Sequence, residues 1–563
     1  MQPKIISFYQ QLSVYIGLLL LLASAPMTAQ TTNANVHCSA HFDKPFYASG
    51  EVIWYKLYLP RAMQNKEVAL QISLSNGQQQ RYHYLQNKSS DQVSGYIKIP
   101  YDWSTGYYFF SVVASQTTDN RQVQLLQVPL SIYSDLSEET KSETQTTDQS
   151  QDQLLSPTQP SAVPSQVEIT LEKETFKIEE TVVANIGIKD AKGQPLIADL
   201  SISVRDIELI PNDEKIGQNL FLGEQIPKTT IEQLHPDLRL YGQVTDEEYK
   251  GMSVPIFCAY LPAVDSFLYC KTGEDGSFAM DLPAFEGAQN LQFLNYEPKP
   301  IKVKLQKMAS GEAAQPSVTP SIARYLSESR KRKNIYQSFL AQEVPITANP
   351  APIQRSQIQP HQSLRISDYD PFPDLPTFFK EIYTPLKIRQ QKDGQYNARM
   401  FGPEEYIRRF LPGSPLYIID GQLTRNTKFF TDLRIDKVEK IDLHCFLVDI
   451  KKGYGPVGFS GVVNVTTNNK RLTVPEADLE DVFEIEGLLP AVAFPVAPSD
   501  ASSTCPDFRP QLYWEPSLST DANGRAEIRF RQSDDVSTFV IEVVGRTADG
   551  QMVRGEQRYE VVH

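Results

Sequence analysis

The feature that most constrains the fold is a recurrence of short segments in which β-branched and aromatic residues alternate with polar ones. In the first part of the chain, residues 52–59, 95–100 and 106–113 follow this pattern. A two-residue period is typical of strands with one buried face, and several such strands separated by glycine turns predict a β-sandwich. We therefore predict a first sandwich over residues 36–134.

The same alternation returns three times further along the chain. It predicts a second sandwich over residues 167–215, a small sandwich over 238–306 and a C-terminal sandwich over 505–563. In the small sandwich, Asp275-Gly276 is a tight-turn pair, because glycine tolerates the positive φ that such turns require. The predicted fold class is mainly β and multidomain, with several immunoglobulin-like sandwiches and one α+β domain.

The predicted α+β domain covers residues 365–475. Residues 371–412 read as two helical stretches with a β-turn between them, and Thr377 is positioned to cap the first helix. Strand-like segments follow over residues 415–469. Among them, Asp420-Gly421 ends an apolar strand and predicts a structural tight turn.

Two stretches lack the strand pattern. Residues 135–166 are rich in Ser, Thr, Gln, Asp and Pro, which predicts a disordered linker. Residues 307–364 predict a helical or irregular linker, with apolar residues at helical spacing over 321–342. The basic run 330–333 lies on this helix and is expected on a solvated face, with contact to an acidic lipid or partner as the alternative.

The N-terminus predicts export. An apolar run over residues 14–23 precedes the small residues Ala25 and Ala29, the two candidate cleavage points. This run is short for a membrane span, so residues 1–29 read as a signal peptide, with a retained anchor as the alternative. The expected location is the periplasm or the outer-membrane surface.

Net charge limits the partner class. The chain has 54 Lys and Arg against 68 Asp and Glu, a formal net charge of -14. Such a balance argues against nucleic acid as the partner, because phosphate binding draws on an excess of basic residues.

Five cysteines are present: Cys38, Cys258, Cys270, Cys445 and Cys505. An exported chain meets an oxidising compartment. Cys258 and Cys270 are predicted on neighbouring strands of one sandwich, where they form either a disulfide or two buried thiols. None of the five has the spacing of a zinc site.

Two segments have the spacing of known catalytic or binding motifs, but the residues around them do not fit those motifs. Gly453, Gly455 and Gly458 have the spacing of a dinucleotide loop, but the residues that follow are strand-like where that loop must open a helix. His444 and Cys445 are adjacent on a predicted strand and therefore point to opposite faces. We predict no catalytic residue, no cofactor and no metal site, and hence no enzyme.

Several segments resemble known families. Asp43-Lys44-Pro45 followed by Gly50-Glu51 resembles the opening of the second macroglobulin domain of the α2-macroglobulin family, with a one-residue shift at the expected tyrosine. Residues 167–215 and 510–563 are similar to other macroglobulin domains. Residues 238–306 resemble the carboxypeptidase-regulatory type sandwich, whose name implies no peptidase activity.

The resemblance to macroglobulins suggests covalent trapping through a Cys-Gln thioester, but the residues of this chain exclude that chemistry. That chemistry needs a cysteine directly before Gly-Glu-Gln. Here Arg554 precedes one such tripeptide and Leu222 precedes the other. Neither position supplies the thiol.

Residues 415–469 resemble the plug domain of TonB-dependent outer-membrane receptors. In those receptors a transmembrane barrel follows, whereas residues 470–563 do not alternate like lipid-facing strands. Together the modules resemble an exported family of the Bacteroidota that combines macroglobulin-type domains with a plug-like domain and no barrel.

The function expected from the sequence is a non-enzymatic binding or scaffolding protein that presents β-sandwich surfaces to protein or peptide partners. One alternative is an accessory of TonB-dependent transport that works with a separate barrel. A second alternative is an enzyme with an unrecognised site.

Overall fold

The computed structural model confirms a mainly β, multidomain chain. It describes residues 38–87, 92–117, 121–135, 166–211, 220–222, 226–246, 248, 250–262, 266–295, 301–306, 315–339, 358–402, 409–469, 472, 474, 481–495 and 506–563. The predicted signal peptide, almost all of the predicted linker 135–166 and Cys505 lie outside these residues. Strands and helices are numbered below in chain order.

The first sandwich contains the eight strands between residues 39 and 133 and one short strand from further along the chain. Its strands are β1 Ser39–Phe42, β2 Phe46–Ala48, β3 Val52–Tyr58, β4 Val68–Ser75, β5 Gln80–Asn87, β6 Gln92–Lys98, β7 Gly106–Ser115 and β8 Gln122–Tyr133. One sheet has the order β2-β8-β7-β4-β5, and the other joins β1, β3 and β6 with β13 Leu220–Leu222 at its edge. Tyr55 and Phe110 meet in the core between the sheets, and the centroids of their rings are 4.9 Å apart.

The second sandwich is built from two distant parts of the chain. Its strands are β9 Gln166–Leu171, β10 Thr175–Lys177, β11 Thr181–Lys189, β12 Ala198–Asp206, β29 Gln511–Ser519, β30 Arg525–Arg531, β31 Thr538–Thr547 and β32 Met552–Val562. One sheet has the order β10-β32-β31-β12-β29 and the other β30-β11-β9. The two separate sandwiches predicted over 167–215 and 505–563 are therefore halves of one.

The reason for this correction is edge pairing. β12 has β31 on one side and β29 on the other, and β11 lies between β30 and β9. Four strands alone would leave these central strands with unpaired backbone groups, which the C-terminal strands satisfy. An alternating pattern predicts a strand but not the strand that it pairs with. For that reason each half was predicted to be a separate sandwich.

The third sandwich also borrows a strand. It contains β14 Leu238–Thr245, β15 Phe257–Leu261, β16 Ser266–Cys270, β17 Ser277–Leu282, β18 Ala288–Asn295, β19 Lys302–Leu305 and β28 Val482–Glu486. The sheets have the orders β17-β14-β19 and β16-β15-β18-β28. The predicted Asp275-Gly276 turn precedes β17, and Gly276 has φ +83°.

The α+β unit follows the third sandwich. Its elements are β20 Gln362–Arg365, α3 Leu375–Ile382, β21 Leu386–Gln390, β22 Tyr396–Gly402, β23 Arg409–Phe410, β24 Leu416–Ile419, β25 Gln422–Thr424, α4 Thr427–Asp432, β26 Val438–His444, α5 Leu447–Gly453 and β27 Val462–Thr467. A mixed sheet has the order β20-β26-β27-β24-β25, and a smaller sheet has the order β21-β22-β23. The second helix predicted within 371–412 is wrong, because β21 and β22 form a hairpin there.

Two further helices lie outside these units, α1 Lys228–Glu232 and α2 Pro320–Phe339. Short 3-10 turns cover Arg61–Met63, Ile366–Asp368, Ile435–Lys437 and Gly455–Gly458. The first turn of α3 is capped by Asp374, whose carboxylate accepts from the Thr377 amide, so the residue predicted as the cap is the donor. Among the described helices, none is long and apolar enough to cross a membrane.

Candidate functional site

The Asp43 motif builds a buried polar junction. Asp43 Oδ1 accepts hydrogen bonds from Tyr47 Oη at 2.7 Å and from the Trp54 amide at 2.9 Å. Lys44 Nζ binds Glu51 Oε2 at 2.7 Å. Burial raises the pKa of Asp43 to about 6, and the nearby Lys44 charge opposes that rise. The motif residues therefore satisfy one another and hold the β1–β2 connection.

Helix α2 covers this junction. Tyr325 donates to Glu51, and its ring packs edge-on against Phe46 with centroids 5.2 Å apart. Lys333 Nζ lies 2.7 Å from Asp135 Oδ2, which follows β8. The helix is thus fixed to the first sandwich by both polar and apolar contacts.

The basic run on α2 is only partly solvated, contrary to expectation. Arg332 pairs with Asp535 of the second sandwich at 2.6 Å, and both side chains are about 15% exposed or less. Lys331 does face solvent, with 65% of its side chain exposed. Three of the four cations bind carboxylates of the chain's own sandwiches, so α2 is a clip between two units.

A second polar junction lies between the first two sandwiches. Lys56 of β3 pairs with Asp199 of β12, and His41 Nδ1 lies 2.7 Å from Ser201 Oγ. Burial, followed by the positive charges around it, lowers the pKa of His41 well below its usual value. His41 is therefore a neutral contact residue of this junction.

The two cysteines predicted as a pair lie on adjacent strands but face opposite ways. Cys270 is opposite Phe257 in the register, so Cys258, the next residue along β15, points to the other face of the sheet. Cys258 packs with Leu416 of the α+β unit, whereas the Cys270 thiol donates to backbone carbonyls. The two cysteines form no disulfide, and this geometry corrects the disulfide alternative.

The remaining motif residues take structural positions. His444 Nε2 lies 3.1 Å from Tyr454 Oη, while the Cys445 thiol lies 3.8 Å from Tyr383 Oη, so the two have different neighbours. The three glycines of the apparent dinucleotide loop lead into strand β27, as their context predicts.

Asp420-Gly421 forms the tight turn between β24 and β25. Both residues have positive φ, 45° and 86°. The Asp420 carboxylate accepts from the Thr467 amide at 2.9 Å and from the Leu472 amide at 3.0 Å. The structural role predicted for this pair is confirmed.

Two further histidines, His83 and His235, also have hydrogen-bonding neighbours within the chain. His83 Nε2 lies 2.6 Å from Tyr55 Oη in the first core, and Arg239 Nη2 lies 2.8 Å from His235 Nε2. Within the described part of the chain, no group of three or more His, Cys, Asp or Glu side chains is arranged to hold a metal ion.

An exposed basic face is the surface that the sequence reasoning missed. It lies on the outer side of the three-stranded sheet β21-β22-β23 and carries Lys387, Arg389 and Arg399, all exposed. Leu386, Ala398 and Met400, which alternate with them, are buried in the core of the α+β unit. The sheet therefore has a clean division between an apolar inner face and a cationic outer face.

Two aromatic rings adjoin these cations. Phe401 and Phe410 lie opposite each other in the register, and their rings meet edge-on with centroids 5.6 Å apart. Lys387 Nζ lies 5.8 Å from the centroid of the Phe410 ring. We call the surface formed by Lys387, Arg389, Arg399, Phe401 and Phe410 the basic face.

No ion pair balances the charge of the basic face among the residues that the structure describes. Lys387 is directly opposite Arg399 in the register, and neither they nor Arg389 lies within 4.0 Å of a carboxylate among the described residues. Like charges directly opposite each other on paired strands destabilise a sheet. Such an arrangement suits the binding of an anionic group from outside.

The signal for this face was present in the sequence. Residues 386–390 alternate as Leu-Lys-Ile-Arg-Gln, and residues 396–400 alternate as Tyr-Asn-Ala-Arg-Met, with Asp393-Gly394 between them. Two alternating segments flanking Asp-Gly are the pattern of a hairpin. The helical interpretation of residues 371–412 does not place these cations together on one face of a sheet, so the basic face was not predicted.

Comparison with known proteins gives distant structural neighbours. No protein-family model and no curated protein matches the chain. The native Escherichia coli α2-macroglobulin has 9% identity and a TM-score of 0.23 over 94% of this chain and 40% of its own. Salmonella α2-macroglobulin reacted with methylamine has 8% identity and a TM-score of 0.21 over 93% of this chain and 39% of its own.

An Escherichia coli adhesin, FdeC, is a further neighbour, with 12% identity and a TM-score of 0.12 over 48% of this chain and 96% of its own. The chain spans about 40% of the length of the macroglobulins it matches. These neighbours are bacterial proteins of α2-macroglobulin type at low identity, together with the adhesin. The resemblances to plug domains, to carboxypeptidase-regulatory sandwiches and to a Bacteroidota family stay predictions.

Proposed function

We propose that this chain is a non-enzymatic binding or scaffolding protein, exported to the periplasm or the outer-membrane surface, that presents β-sheet surfaces to protein or peptide partners. The observation that carries the proposal is the basic face, where Lys387, Arg389 and Arg399 share one exposed side of a sheet. In a chain of net charge -14, such a local excess of positive charge favours an acidic partner surface.

The interlocked units support a scaffolding role. Shared strands join the two halves of the second sandwich, and α2 clips that sandwich to the first. Gln292 of the third sandwich exchanges two hydrogen bonds with the Leu423 backbone of the α+β unit, at 2.6 and 2.8 Å. A surface carried on units connected in this way is presented in a fixed orientation, which lowers the entropy lost on binding.

The test is site-specific crosslinking in the native cell. A photo-crosslinking residue at Asn397, beside the basic face, is expected to capture a discrete protein, whereas the same residue at Asn185 on strand β11 is not. Adding Lys387→Glu and Arg399→Glu is expected to abolish the Asn397 product. Capture that is identical at both positions, or unchanged by the charge reversals, would contradict the proposal. So would a hydrolytic activity of the purified chain that one point variant removes.

A second candidate is an accessory role in TonB-dependent transport, working with a separate barrel. It is favoured by the plug-like segment 415–469, which contributes β24, β25, β26 and β27 to a single five-stranded sheet. Co-purification of a full-length outer-membrane receptor with the chain, lost on substitution within this unit, is the result that would select this candidate over a general scaffold.

A further inference from the structure

Strand β21 is a sheet edge that borders the basic face. It pairs with β22 on one side only, and the described residues place no strand on its other side. On that outer side, the Leu386 amide donates a hydrogen bond to the Tyr383 carbonyl oxygen at 3.3 Å. The remaining backbone groups along the outer edge are the amides and carbonyls of Ile388 and Gln390.

The hydrogen-bond pattern of the hairpin identifies the outward groups. The Gln391 amide donates to Gln395 and the Phe401 amide donates to Pro385, so the odd-numbered residues of β21 bond to β22. Antiparallel pairs alternate between bonded and non-bonded positions. The amides and carbonyls of Ile388 and Gln390 consequently point away from the sheet, where an added strand would meet them.

We propose that an acidic, extended segment of a partner protein binds by adding a strand to the outer edge of β21, with alternate carboxylates beside Lys387 and Arg389 and with Arg399 of β22 adding positive charge behind them. This inference rests on the proposed binding function and names its site and partner class. The edge supplies backbone hydrogen bonds, and the basic face supplies the preference for acidic side chains.

Spacing favours a strand as the ligand. Side chains on one face of a strand repeat every two residues, about 6.8 Å, so carboxylates at alternate positions match the repeat of Lys387 and Arg389. Directly paired residues on neighbouring strands lie about 4.5–5.5 Å apart, which is within ion-pair reach for long side chains. A nucleic acid or a polysaccharide would use the charges but leave the Ile388 and Gln390 amides unpaired.

Protection against aggregation does not account for the whole arrangement. Lysine on an edge strand commonly prevents unwanted sheet pairing, and that role needs charge only on the edge. Here the positive charge continues inward to Arg399 on the central strand β22, directly opposite Lys387. The aromatic pair Phe401 and Phe410 extends the same face, so the surface is broader than edge protection requires.

The test measures binding of defined anionic probes to the full chain by calorimetry or fluorescence anisotropy. The probe is a seven-residue peptide in which glutamate alternates with threonine, with capped ends. The control peptide has the same composition with its glutamates grouped at one end. The alternating peptide is expected to bind at least tenfold more tightly, and its affinity is expected to fall several-fold between 50 and 500 mM salt.

Variants separate charge from edge pairing. Lys387→Glu is expected to reduce affinity at least tenfold while preserving the fold, because it places opposite charges across from each other at Arg399. Gln390→Pro removes an outward amide that the hairpin does not use and is expected to weaken binding of the alternating peptide. Lys392→Glu, in the hairpin turn, is the matched control and is expected to change affinity less than twofold.

Three outcomes would overturn the inference: equal binding of the two peptides, tighter binding of an oligonucleotide or sulfated polysaccharide at equal charge, or no binding of any anion. Full affinity of the Gln390→Pro variant for the alternating peptide would also overturn the edge-pairing mode. If the peptide fails while the residue at Asn397 still captures a partner protein in a charge-dependent way, only this inference falls and the proposed binding function stands.

Discussion

Asp43 shows how a charged residue is held in the core of this protein. The side chain is 1% exposed, and its carboxylate depends on Tyr47 and the Trp54 amide for hydrogen bonds. Burial disfavours the charged form more strongly than these donors and Lys44 favour it, so the pKa rises to about 6. The junction under α2 therefore contains a carboxyl group that titrates near neutral pH.

This pKa predicts a pH dependence of stability. The folded-state pKa lies above the unfolded value near 3.8, so the protonated carboxyl favours the folded state at low pH. That contribution is fully present below about 3.8 and is lost as the pH rises through about 6. Asp43→Asn keeps an oxygen for both donors but cannot ionise. We expect the unfolding free energy of the variant, minus that of the unsubstituted protein, to be higher at pH 7.5 than at pH 4 by on the order of 2–3 kcal/mol.

Chemical denaturation of both proteins across this pH range measures the effect. Other titrating groups act equally on the two proteins, so the difference between their unfolding free energies isolates Asp43. Two profiles that run parallel from pH 4 to 7.5 would show that the carboxyl at position 43 does not titrate in this range.

At the residue scale, the sequence predicts local chemistry better than partners. Asp420-Gly421 and Asp275-Gly276 are recognisable because a tight turn needs residues that tolerate positive φ. The roles of Asp43 and His41 are not recognisable, because each depends on residues more than 100 positions away or on the degree of burial. The basic face is not recognisable either, because it requires knowing which side of the sheet is buried.

At the scale of elements, helix α2 connects the first two sandwiches. It contacts Glu51 and Asp135 of the first sandwich and Asp535 of the second. Such a clip fixes two units with few residues, because each cation reaches a carboxylate that is already largely shielded from water. Removing one partner leaves the other with its desolvation cost.

Two alanine variants test this role of α2. Arg332→Ala leaves Asp535 buried without its bidentate partner and is expected to destabilise the chain by about 1–3 kcal/mol. It is also expected to increase hydrogen exchange at the α2 contacts with the second sandwich. Lys331→Ala removes an exposed pair within the same helix and should cost less than about 0.5 kcal/mol. Equal effects of the two variants would mean that α2 does not connect the sandwiches.

Element type was predictable where periodicity was long and uninterrupted. The strands of the first sandwich and the helix within 321–342 follow their patterns. The hairpin β21–β22 was misread, because Phe378 and Phe379 belong to a helical period that ends with α3 at Ile382, and the prediction extended that period too far. The two-residue period that begins at Leu386 is only five residues long, and a short pattern is easily absorbed into its neighbour.

At the scale of the whole molecule, the second sandwich determines how much of the chain folds together. Removing residues 505–563 takes away both neighbours of β12 and one neighbour of β11. We expect the truncated chain to lose exchange protection and protease resistance over β9–β12, although those residues are intact. The same truncation also removes the Val544 carbonyl that accepts from Tyr58 of the first sandwich, at 3.0 Å.

Limited proteolysis with mass spectrometry measures this loss. Supplying residues 506–563 as a separate chain is the control, and it is expected to restore protection over β11 and β12. A truncated chain whose β11 and β12 amides remain protected without the supplied segment would show that the N-terminal half folds alone. The architecture could not be read from the sequence for the same reason, since strand partners are not encoded in the alternation of either half.

The distance between the two halves of the second sandwich also has a consequence in time. Synthesis proceeds at roughly 5–20 residues per second, so the stretch of about 300 residues between β12 and β29 takes on the order of 15–60 s to emerge. Throughout that interval β9–β12 exist with open edges while the first sandwich can already close. The nascent chain therefore depends on whatever keeps such edges from pairing with other chains until its last strands arrive.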